Sequence, residues 1–285
     1  MIQQALGGLV AGGAFALIAV CLVLMYQMLG VLNFAQSALG ALAACASLFA
    51  LTKLHWGPWP STVLAVACGA VVSALVGLVM ARFFLETSVV TRSTVTIAFL
   101  VGVIAIGNHI LNGKTYTFPN TLSGSSISLF GTGVPIGSLV EAGGAVLLAV
   151  LVTLLLKRTH LGAQLRAMSE RPTTAQLLGI RVRRLTVLVW AFAGAVSTIA
   201  VMFVLPTSTT SFPPLGYLTL FALGAALLGL LQNMIVAALG GIAIGMLESI
   251  VLTTALGRYA QAIPFVIIIL VMIWWRRSDV WSEAR

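Results

Sequence analysis

The chain of 285 residues is 60% hydrophobic and only 7% charged, with a mean hydropathy of +1.11. Soluble domains average about 45–50% apolar and about 25% charged residues, so these values exclude a soluble enzyme and a disordered protein. The net charge of +9 does not indicate nucleic acid, because the basic residues stand in a few short segments between apolar runs. The composition therefore predicts an integral membrane protein with no nucleic-acid partner.

Apolar runs follow one another along the whole chain, and a membrane-spanning helix needs about 20 mostly apolar residues. The runs are too long and too uniformly apolar for barrel strands, which alternate in character. The first has no basic segment before it and exceeds the signal-peptide core of about 7–15 residues, so we interpret it as a retained helix. We predict an all-α polytopic helical bundle of about 8–10 membrane segments, some broken or re-entrant. The candidate runs are 5–29, 33–51, 61–82, 93–111, 139–156, 186–206, 217–231, 233–252 and 261–275.

Most of the 15 basic residues fall in three segments, 82–92, 157–184 and 276–285. The positive-inside rule places all three, and with them the C-terminus, in the cytoplasm. The N-terminus lies outside if the number of crossings is odd and inside if it is even. The polar loop 112–138, rich in Gly, Ser, Thr and Pro, then faces outside, with short extended pieces. It is either a connector or a contact for an extracytoplasmic partner.

Small residues are frequent inside the apolar runs. Gly8 to Gly12 and Gly241 to Gly245 are both G-x-x-x-G patterns, and small residues allow transmembrane helices to approach closely. We predict plain helix packing at these glycines. The alternative is that some of them allow helix movement during transport.

Catalytic and cofactor motifs do not emerge from the sequence. Gly113-Lys114-Thr115 is similar to the end of a P-loop, but that motif would need Gly at the position of Asn108. The cysteines and histidines are scattered over separate segments without metal-ligand spacing. We predict no catalytic residue, no metal and no cofactor in this chain.

The basic segment 157–184 is predicted to fold. Leu161, Leu165 and Met168 recur at helical spacing and form one apolar stripe. Pro172 suits the first turn of a second short helix, and Gly179 suits its C-terminal cap. A basic amphipathic pair of helices either lies on the membrane surface or docks a partner protein, and composition alone does not choose between them.

A set of short motifs runs in order along nearly the whole chain. It resembles the permease subunits of branched-chain amino acid ABC importers. The motifs are Ala16-Leu17-Ile18-Ala19, Gly30-Val31-Leu32-Asn33-Phe34-Ala35, the segment opened by Thr96, Leu156-Lys157-Arg158-Thr159 with Leu161-Gly162, Arg166-Ala167, Ala175 with Leu178-Gly179-Ile180, and Gly245 with Glu248-Ser249. Three stretches depart from the family pattern, namely Gln36-Ser37 in place of His-Gly, the short segment 83–93, and 223–229. These departures leave the substrate open among branched-chain amino acids, other amino acids, urea and amides.

The resemblance implies a single permease domain over residues 1–285 with the ABC importer permease fold. The implied partners are two ABC ATPase subunits, an extracytoplasmic solute-binding protein, and a second permease that is a homologue or a second copy, all around a chain embedded in membrane lipid. The implied ATPase-coupling residues in 157–184 are Arg166, Arg171, Pro172, Ala175, Leu178, Gly179 and Ile180. The candidates for the translocation path or gating are Asn33, Phe34, Gln36, Asn108 and Glu248.

The predicted function is that of a permease subunit in the bacterial cytoplasmic membrane, importing branched-chain or related amino acids with ATP hydrolysed by its partners. The alternative is a secondary transporter or channel that acts alone. Such proteins often carry charged pairs at mid-membrane depth, whereas here Glu141 and Glu248 both stand near the ends of their runs. The pair Trp274-Trp275 is typical of an interfacial anchor.

Overall fold

The structure is a computed structural model that describes residues 2–111, 126–129, 132–204, 212–254 and 257–283. A helical bundle with one small hairpin makes up these residues. In chain order the elements are α1 (Ile2–Gly7), α2 (Leu9–Leu29), α3 (Gln36–Lys53), α4 (Pro58–Phe83), α5 (Val89–Ile110), β1 (Ser126–Leu129), β2 (Thr132–Pro135), α6 (Ile136–Arg158), α7 (His160–Glu170), α8 (Pro172–Leu177), α9 (Val182–Val204), α10 (Phe212–Gly216), α11 (Leu218–Leu228), α12 (Met234–Leu252), a 3-10 helix (Gly257–Ala262) and α13 (Ile263–Glu283).

Six of the described helices, α2, α4, α5, α6, α9 and α12, are long and apolar enough to cross a membrane. Helix α3 and two shorter apolar stretches, Phe212–Leu228 and Gly257–Ile273, accompany them. Hydrogen bonds within each helix satisfy the backbone, as a hydrocarbon environment requires. The chain is a multi-pass membrane protein, and the prediction of a polytopic helical bundle is confirmed.

The bounds of three predicted runs differ from those of the helices. The first run divides at Gly8 into α1 and α2, and the run 217–231 is preceded by the short α10. Helix α3 begins at Gln36, three residues later than the start of the run 33–51. The boundary predicted at Gln232-Asn233 is confirmed, because the Asn233 side chain caps α12 by accepting from the next backbone N–H groups.

The polar loop 112–138 contains the predicted extended pieces in its described part. Strands β1 and β2 pair antiparallel, with Ile127 opposite Val134. Helix α6 then begins at Ile136, inside the predicted loop. The stretch 113–115 and the side chains of Trp274 and Trp275 lie outside the described residues.

Helix α2 forms the centre of the bundle. It packs against α6, α9, α11 and α12, and α4 packs against α9 and α3. The closest of these contacts are made by glycines: a Cβ atom on Gly241 would lie 2.5 Å from the backbone nitrogen of Ala16, and one on Gly12 would lie 2.8 Å from the carbonyl oxygen of Ile242. No side chain fits there, so the packing interpretation of the G-x-x-x-G patterns is confirmed.

Two of the basic segments predicted for one face of the membrane, 82–92 and 157–184, meet at one end of the bundle, which we call the basic end. It carries the turn 84–88 between α4 and α5, together with α7 and α8. Gln27, Lys157 and Gln232 line one cavity there, and the amide of Gln27 donates to the carbonyl of Gln232. Three segments therefore lie at this end: the C-terminal end of α2, the segment 157–184 and the turn before α12.

Candidate functional site

The chain breaks between α2 and α3 at the basic end. Gly30 closes α2 with a left-handed backbone (φ 59°), and its N–H donates to the carbonyl of Tyr26 at 2.9 Å. A guanidinium N–H of Arg92 donates to the carbonyl of Leu29 beside it. The next residues, 31–35, are not helical, so their backbone groups need partners from elsewhere.

Helix α5 supplies those partners through two hydroxyl groups. Ser93 accepts from the N–H of Leu32 at 3.2 Å, and Thr96 accepts from the N–H of Phe34 at 3.0 Å. The Thr96 hydroxyl also lies 2.9 Å from the Leu32 carbonyl. These bonds hold a non-helical stretch inside the bundle, which is where irregular backbone is tolerated in membrane proteins.

Asn33 and Gln36 form the centre of a buried hydrogen-bond network. The Asn33 amide donates to the Gln36 side-chain carbonyl at 2.6 Å, and the Gln36 amide donates to the Ala193 carbonyl at 2.9 Å and to the Ser197 hydroxyl at 2.5 Å. Asn33, Gln36 and Ser197 are all buried. The network ties the break and the start of α3 to the middle of α9.

Ser37 and Thr219 form a second group of hydrogen bonds, which joins the first turn of α3 to α11. The Ser37 hydroxyl donates to the Gly216 carbonyl at 2.8 Å and accepts from the Thr219 N–H at 3.1 Å. In return, the Ser37 N–H donates to the Thr219 hydroxyl at 2.9 Å. The two residues thus cap each other's helices, so α3 and α11 are held together at their first turns.

We call Asn33, Gln36, Ser37, Thr96, Ser197 and Thr219 the polar cluster. None of its side-chain atoms is among the buried groups left without a partner in the described residues. A fully satisfied buried network fixes one arrangement of the elements that it joins. The cluster therefore joins α3, α5, α9 and α11 around the end of α2.

The predicted path residues do not all meet. Asn33 and Gln36 belong to the polar cluster, and Phe34 is half-buried between them. Asn108 is exposed on α5, about 18 Å along the helix axis from Thr96. Glu248 is half-buried on α12 next to a residue that bonds α1, away from the cluster. The hydroxyl members of the cluster were not predicted, because single Ser and Thr residues in apolar runs are equally common as packing residues.

The segment 157–184 folds into the two predicted helices, α7 and α8. Thr159 caps α7 by accepting from the N–H of Gly162 at 3.1 Å. The buried face is Gly162, Leu165 and Met168, whereas Leu161 is 52% exposed. The predicted stripe was therefore wrong at Leu161: Gly162 faces inward because the turn packs directly on the last carbonyls of α6, where a side chain would not fit.

Helix α8 presents different faces to the chain and to its surroundings. Ala175 is only 2% exposed and packs on the chain's own core. Leu177 and Leu178 are instead 88% and 74% exposed. Gly179 has φ +82° and ends the helix as predicted.

The other residues assigned to coupling lie on the same loop. Arg166 and Arg171 are exposed, and Pro172 and Ile180 are half-buried. Met168 connects the loop to the bundle, because its sulfur lies 4.0 Å from the hydroxyl of Thr186 on α9. The loop is thus a folded extension of α6 and α9, with charged and apolar groups on its outer side.

Glu141 lies near the start of α6, as predicted, but its carboxyl group is buried. It is 2% exposed, lies against Gly13 of α2, and neither carboxyl oxygen has a partner among the described residues. A buried acid without a hydrogen bond costs free energy. No other carboxyl group in the described part of the chain has buried oxygens without a partner.

The described residues combine three features. They form a polytopic helical bundle, they contain a break between two helices that buried polar groups hold in place, and they carry a folded loop at the basic end. These features together define a membrane permease. Residues 4–272 match the family described as "Branched-chain amino acid transport system / permease component". The chain belongs to this family.

Similar proteins agree over almost the full length. The chain is 31% identical to the probable branched-chain amino acid transport permease protein LivH of Methanocaldococcus jannaschii, covering 94% of this chain and 88% of the relative. It is 24% identical to the high-affinity branched-chain amino acid transport system permease protein BraD of Pseudomonas aeruginosa, covering 95% and 93%. It is also 28% identical to the fructose import permease protein FrcC of Rhizobium meliloti, over a stretch that covers 48% of this chain and 39% of the relative. These relatives are transport permease components rather than enzymes.

Proposed function

We propose that this chain is the membrane-spanning subunit of an ATP-driven importer that translocates branched-chain or related amino acids. The proposal takes its substrate class from the full-length relatives, whose names state branched-chain amino acid transport. The folded loop, with two exposed leucines at the C-terminal end of α8, is the observation that supports an ATP-driven mechanism. A transporter that acts alone is not favoured, because the family consists of components of larger transport systems.

The proposed location is the bacterial cytoplasmic membrane, with residues 1–285 as a single permease domain. The basic end faces the cytoplasm, since the positive-inside rule applies to the short segments gathered there. Helices α2, α4, α6, α11 and α13 then run inward, which places α1 and the hairpin β1–β2 outside and α7, α8 and the C-terminus inside.

Three kinds of partner protein follow from this orientation. Two ATPase subunits bind the basic end and hydrolyse ATP, and a solute-binding protein delivers substrate to the opposite end. A second permease, either a homologue or a second copy of this chain, completes the pathway. Many apolar side chains on α4, α5 and α6 are exposed, for example Val71, Val101 and Leu151, and they supply surface for lipid and for this second permease.

Helix α8 is the proposed contact to the ATPase. Leu177 and Leu178 are large, apolar and exposed, which is the character of an anchor that fills a pocket on a partner. Arg166 and Arg171 are exposed on the same loop and either pair with acidic groups of the ATPase or hold the loop in the cytoplasm. Ala175 faces the permease core, so it transmits force from α8 rather than touching the ATPase.

The polar cluster is the proposed element that responds to that force. The loop packs on α2, α6 and α9, and α2 and α9 border the cluster at Asn33 and Ser197. A shift of the loop therefore reaches the break between α2 and α3 through rigid helices. Transport needs two arrangements that the nucleotide state favours differently, and we assign the change to the hydrogen bonds of this cluster.

Co-purification tests the proposal. The wild-type chain is expressed with its ATPase subunits and isolated in detergent, beside Leu177→Asp and the matched control Leu161→Asp on α7. Wild type and control are expected to retain the ATPases, and Leu177→Asp to lose them while keeping the thermal stability of the permease.

Transport in liposomes decides between the two candidate functions. Uptake of labelled leucine is expected only when the ATPases, the binding protein and ATP are all present. Uptake by the purified chain alone without ATP would refute the importer function and favour the stand-alone transporter. Retention of the ATPases by Leu177→Asp would move the docking contact away from α8.

A further inference from the structure

Two adjacent cavities lie where the segment 157–184 meets the membrane helices at the basic end. The first has a volume of about 320 Å³, and its polar lining residues are Gln164, Arg181 and Arg184. The second, of about 460 Å³, is a groove between α4 and α9, lined by Leu78, Arg183, Arg184, Val187 and Leu188. Because Arg184 and Leu188 line both cavities, we treat the two as one cleft and call it the amphipathic cleft.

The polarity of the amphipathic cleft changes with depth in the membrane. Residues 179–181 line its first part and precede α9, whereas Leu78 and Leu188 lie roughly 8–9 Å along α4 and α9 from the ends of these helices at the basic end. Leu78 and Leu188 are exposed and Val187 is half-buried, so the deeper part offers apolar side chains on a surface that faces lipid. A ligand that fits both parts has a polar head and an apolar chain.

The charge of the amphipathic cleft indicates which kind of head it receives. Arg181, Arg183 and Arg184 are all exposed, and no acidic residue lines either cavity in the described part of the chain. On α9, Arg183 stands one helical turn before Val187, and Arg184 stands one turn before Leu188. Each of these arginines therefore has an aliphatic stem beside the groove and a charged group that reaches toward the membrane surface. Guanidinium groups bind phosphate with strong, charge-assisted hydrogen bonds.

We propose that the amphipathic cleft binds one anionic phospholipid from the leaflet at the basic end. The phosphate accepts from Arg181 and Arg184, and one acyl chain lies in the groove against Leu78 and Leu188. Basic pockets between transmembrane helices bind anionic headgroups in this way. The inference goes beyond the proposed function, because it depends on the membrane helices and not on the import of any solute.

A bound lipid connects the loop with the membrane helices. Gln164 belongs to α7 and Gly179 ends α8, whereas Arg184 and Leu188 belong to α9, and all four line the first cavity. A headgroup there contacts the loop and α9 at once. The exposed leucines of α8 are not among the lining residues of the amphipathic cleft. One side of the loop therefore meets the membrane surface, and a different side is left for a protein.

Lipid titration of the full chain in detergent is the first test, followed by native mass spectrometry. Phosphatidylglycerol and phosphatidylethanolamine with the same acyl chains are compared. Wild type is expected to bind one phosphatidylglycerol more tightly than phosphatidylethanolamine. Arg184→Gln is expected to weaken the binding of phosphatidylglycerol about fivefold, which is the contribution of one arginine near an anionic surface.

Arg158→Gln is the matched control, because it removes the same charge from an exposed position at the same end of the bundle but outside the amphipathic cleft. It is expected to bind both lipids as wild type does. Equal affinity of wild type and Arg184→Gln for phosphatidylglycerol would overturn the proposal. So would the absence of any preference for phosphatidylglycerol over phosphatidylethanolamine in wild type.

Filling the groove tests the contact with the acyl chain. Val187→Phe adds a ring to the groove without changing the charge and is expected to weaken the binding of phosphatidylglycerol. Val71→Phe adds the same ring at an exposed position of α4 outside the groove and is expected to have no effect. Glycerol phosphate, which has the headgroup chemistry but no acyl chain, should not displace the lipid. Displacement at equal concentration would overturn the role of the groove.

A partner protein is the competing occupant, and co-purification separates it from the lipid. Arg184→Gln is isolated with the ATPase subunits beside wild type. Retained ATPases together with weakened binding of phosphatidylglycerol support the lipid. Lost ATPases together with unchanged binding of phosphatidylglycerol overturn the proposal in favour of a protein contact. Lipid binding is measured on the chain alone, so a failure of the importer function would leave that measurement intact.

Discussion

Replacing Gln36 by leucine tests whether the polar cluster holds the bundle together. The change keeps the size of the side chain and removes three hydrogen bonds, from Asn33 and to Ala193 and Ser197. Ser197 keeps its bond to the Ala193 carbonyl, whereas the Asn33 amide keeps only a 3.8 Å contact to the Met25 sulfur.

The magnitude follows from these contacts. Hydrogen bonds between membrane helices contribute on average about 0.6 kcal/mol each, and a buried donor left without a partner costs about 1–3 kcal/mol. For three bonds and one orphaned amide, we expect the free energy of unfolding to fall by about 3–5 kcal/mol. The removal of a buried polar group offsets part of this loss, which favours the lower half of the range.

The assay is reversible unfolding in mixed micelles with increasing SDS, followed by circular dichroism. Gln261→Leu serves as the control, because Gln261 is exposed on the 3-10 helix. A double-mutant cycle with Ser197→Ala isolates the contact across α3 and α9, and a coupling energy of about 0.5 kcal/mol or more is expected. If Gln36→Leu is as stable as the control, the cluster does not hold α3 to α9.

Four further changes test the packing and the loop. Gly241→Ala places a methyl group 2.5 Å from a backbone nitrogen of α2. It should lower the free energy of unfolding, measured in SDS, by about 1–3 kcal/mol. The matched Gly143→Ala meets open space, so a loss of similar size there would refute the packing explanation. Ala175→Arg should lower the thermal stability of the isolated permease, since Ala175 is buried in its core. Unchanged stability would contradict this placement. Glu141→Met should raise the melting temperature by removing an unpartnered buried acid, and a fall would reveal a bond to this carboxyl. Gly179→Ala should destabilise the loop by about 1 kcal/mol, because an alanine is strained at φ +82°. A loop whose protease sensitivity is unchanged would contradict this.

The membrane segments were predictable because burial in lipid demands long apolar runs, and the sequence records those runs directly. The ends of helices were also predictable where a residue has a special backbone or capping role, as at Asn233 and Gly179. The start of α3 was not, because residues 33–35 are as compatible with a helix as Gln36 and its successors. The break there depends on hydroxyl groups of α5 that stand about 60 positions later in the chain.

The site was predictable only in its amide members. Asn33 and Gln36 stand out because amides are rare in apolar runs. Their partner Ser197 lies 161 positions from Gln36 and resembles many other small residues in the spans. Asn108 and Glu248 carry the same polar signal but lie elsewhere. A polar residue in a span indicates that a partner is needed, and only the fold says which residue it is.

The error at Leu161 shows what helical spacing leaves undecided. Leu161, Leu165 and Met168 share one stripe, and so do Gly162, Leu165 and Met168. Apolar character favours the first set, but the nearness of α7 to the end of α6 favours the second. Gly162 faces the carbonyls of Leu155 and Leu156, where only a residue without a side chain fits.

The stability of α8 bears on how it could work as a docking element. A helix of six residues is too short to persist in water, where isolated helices need about 12–15 residues. It is held instead by Ala175 in the core, by Pro172 at its first turn and by Gly179 at its end. These features belong to the permease itself, so the helix exists before any partner binds. A docking surface that is already ordered spends little conformational entropy on association, and force applied at Leu177 passes to the core through Ala175 instead of bending a flexible loop.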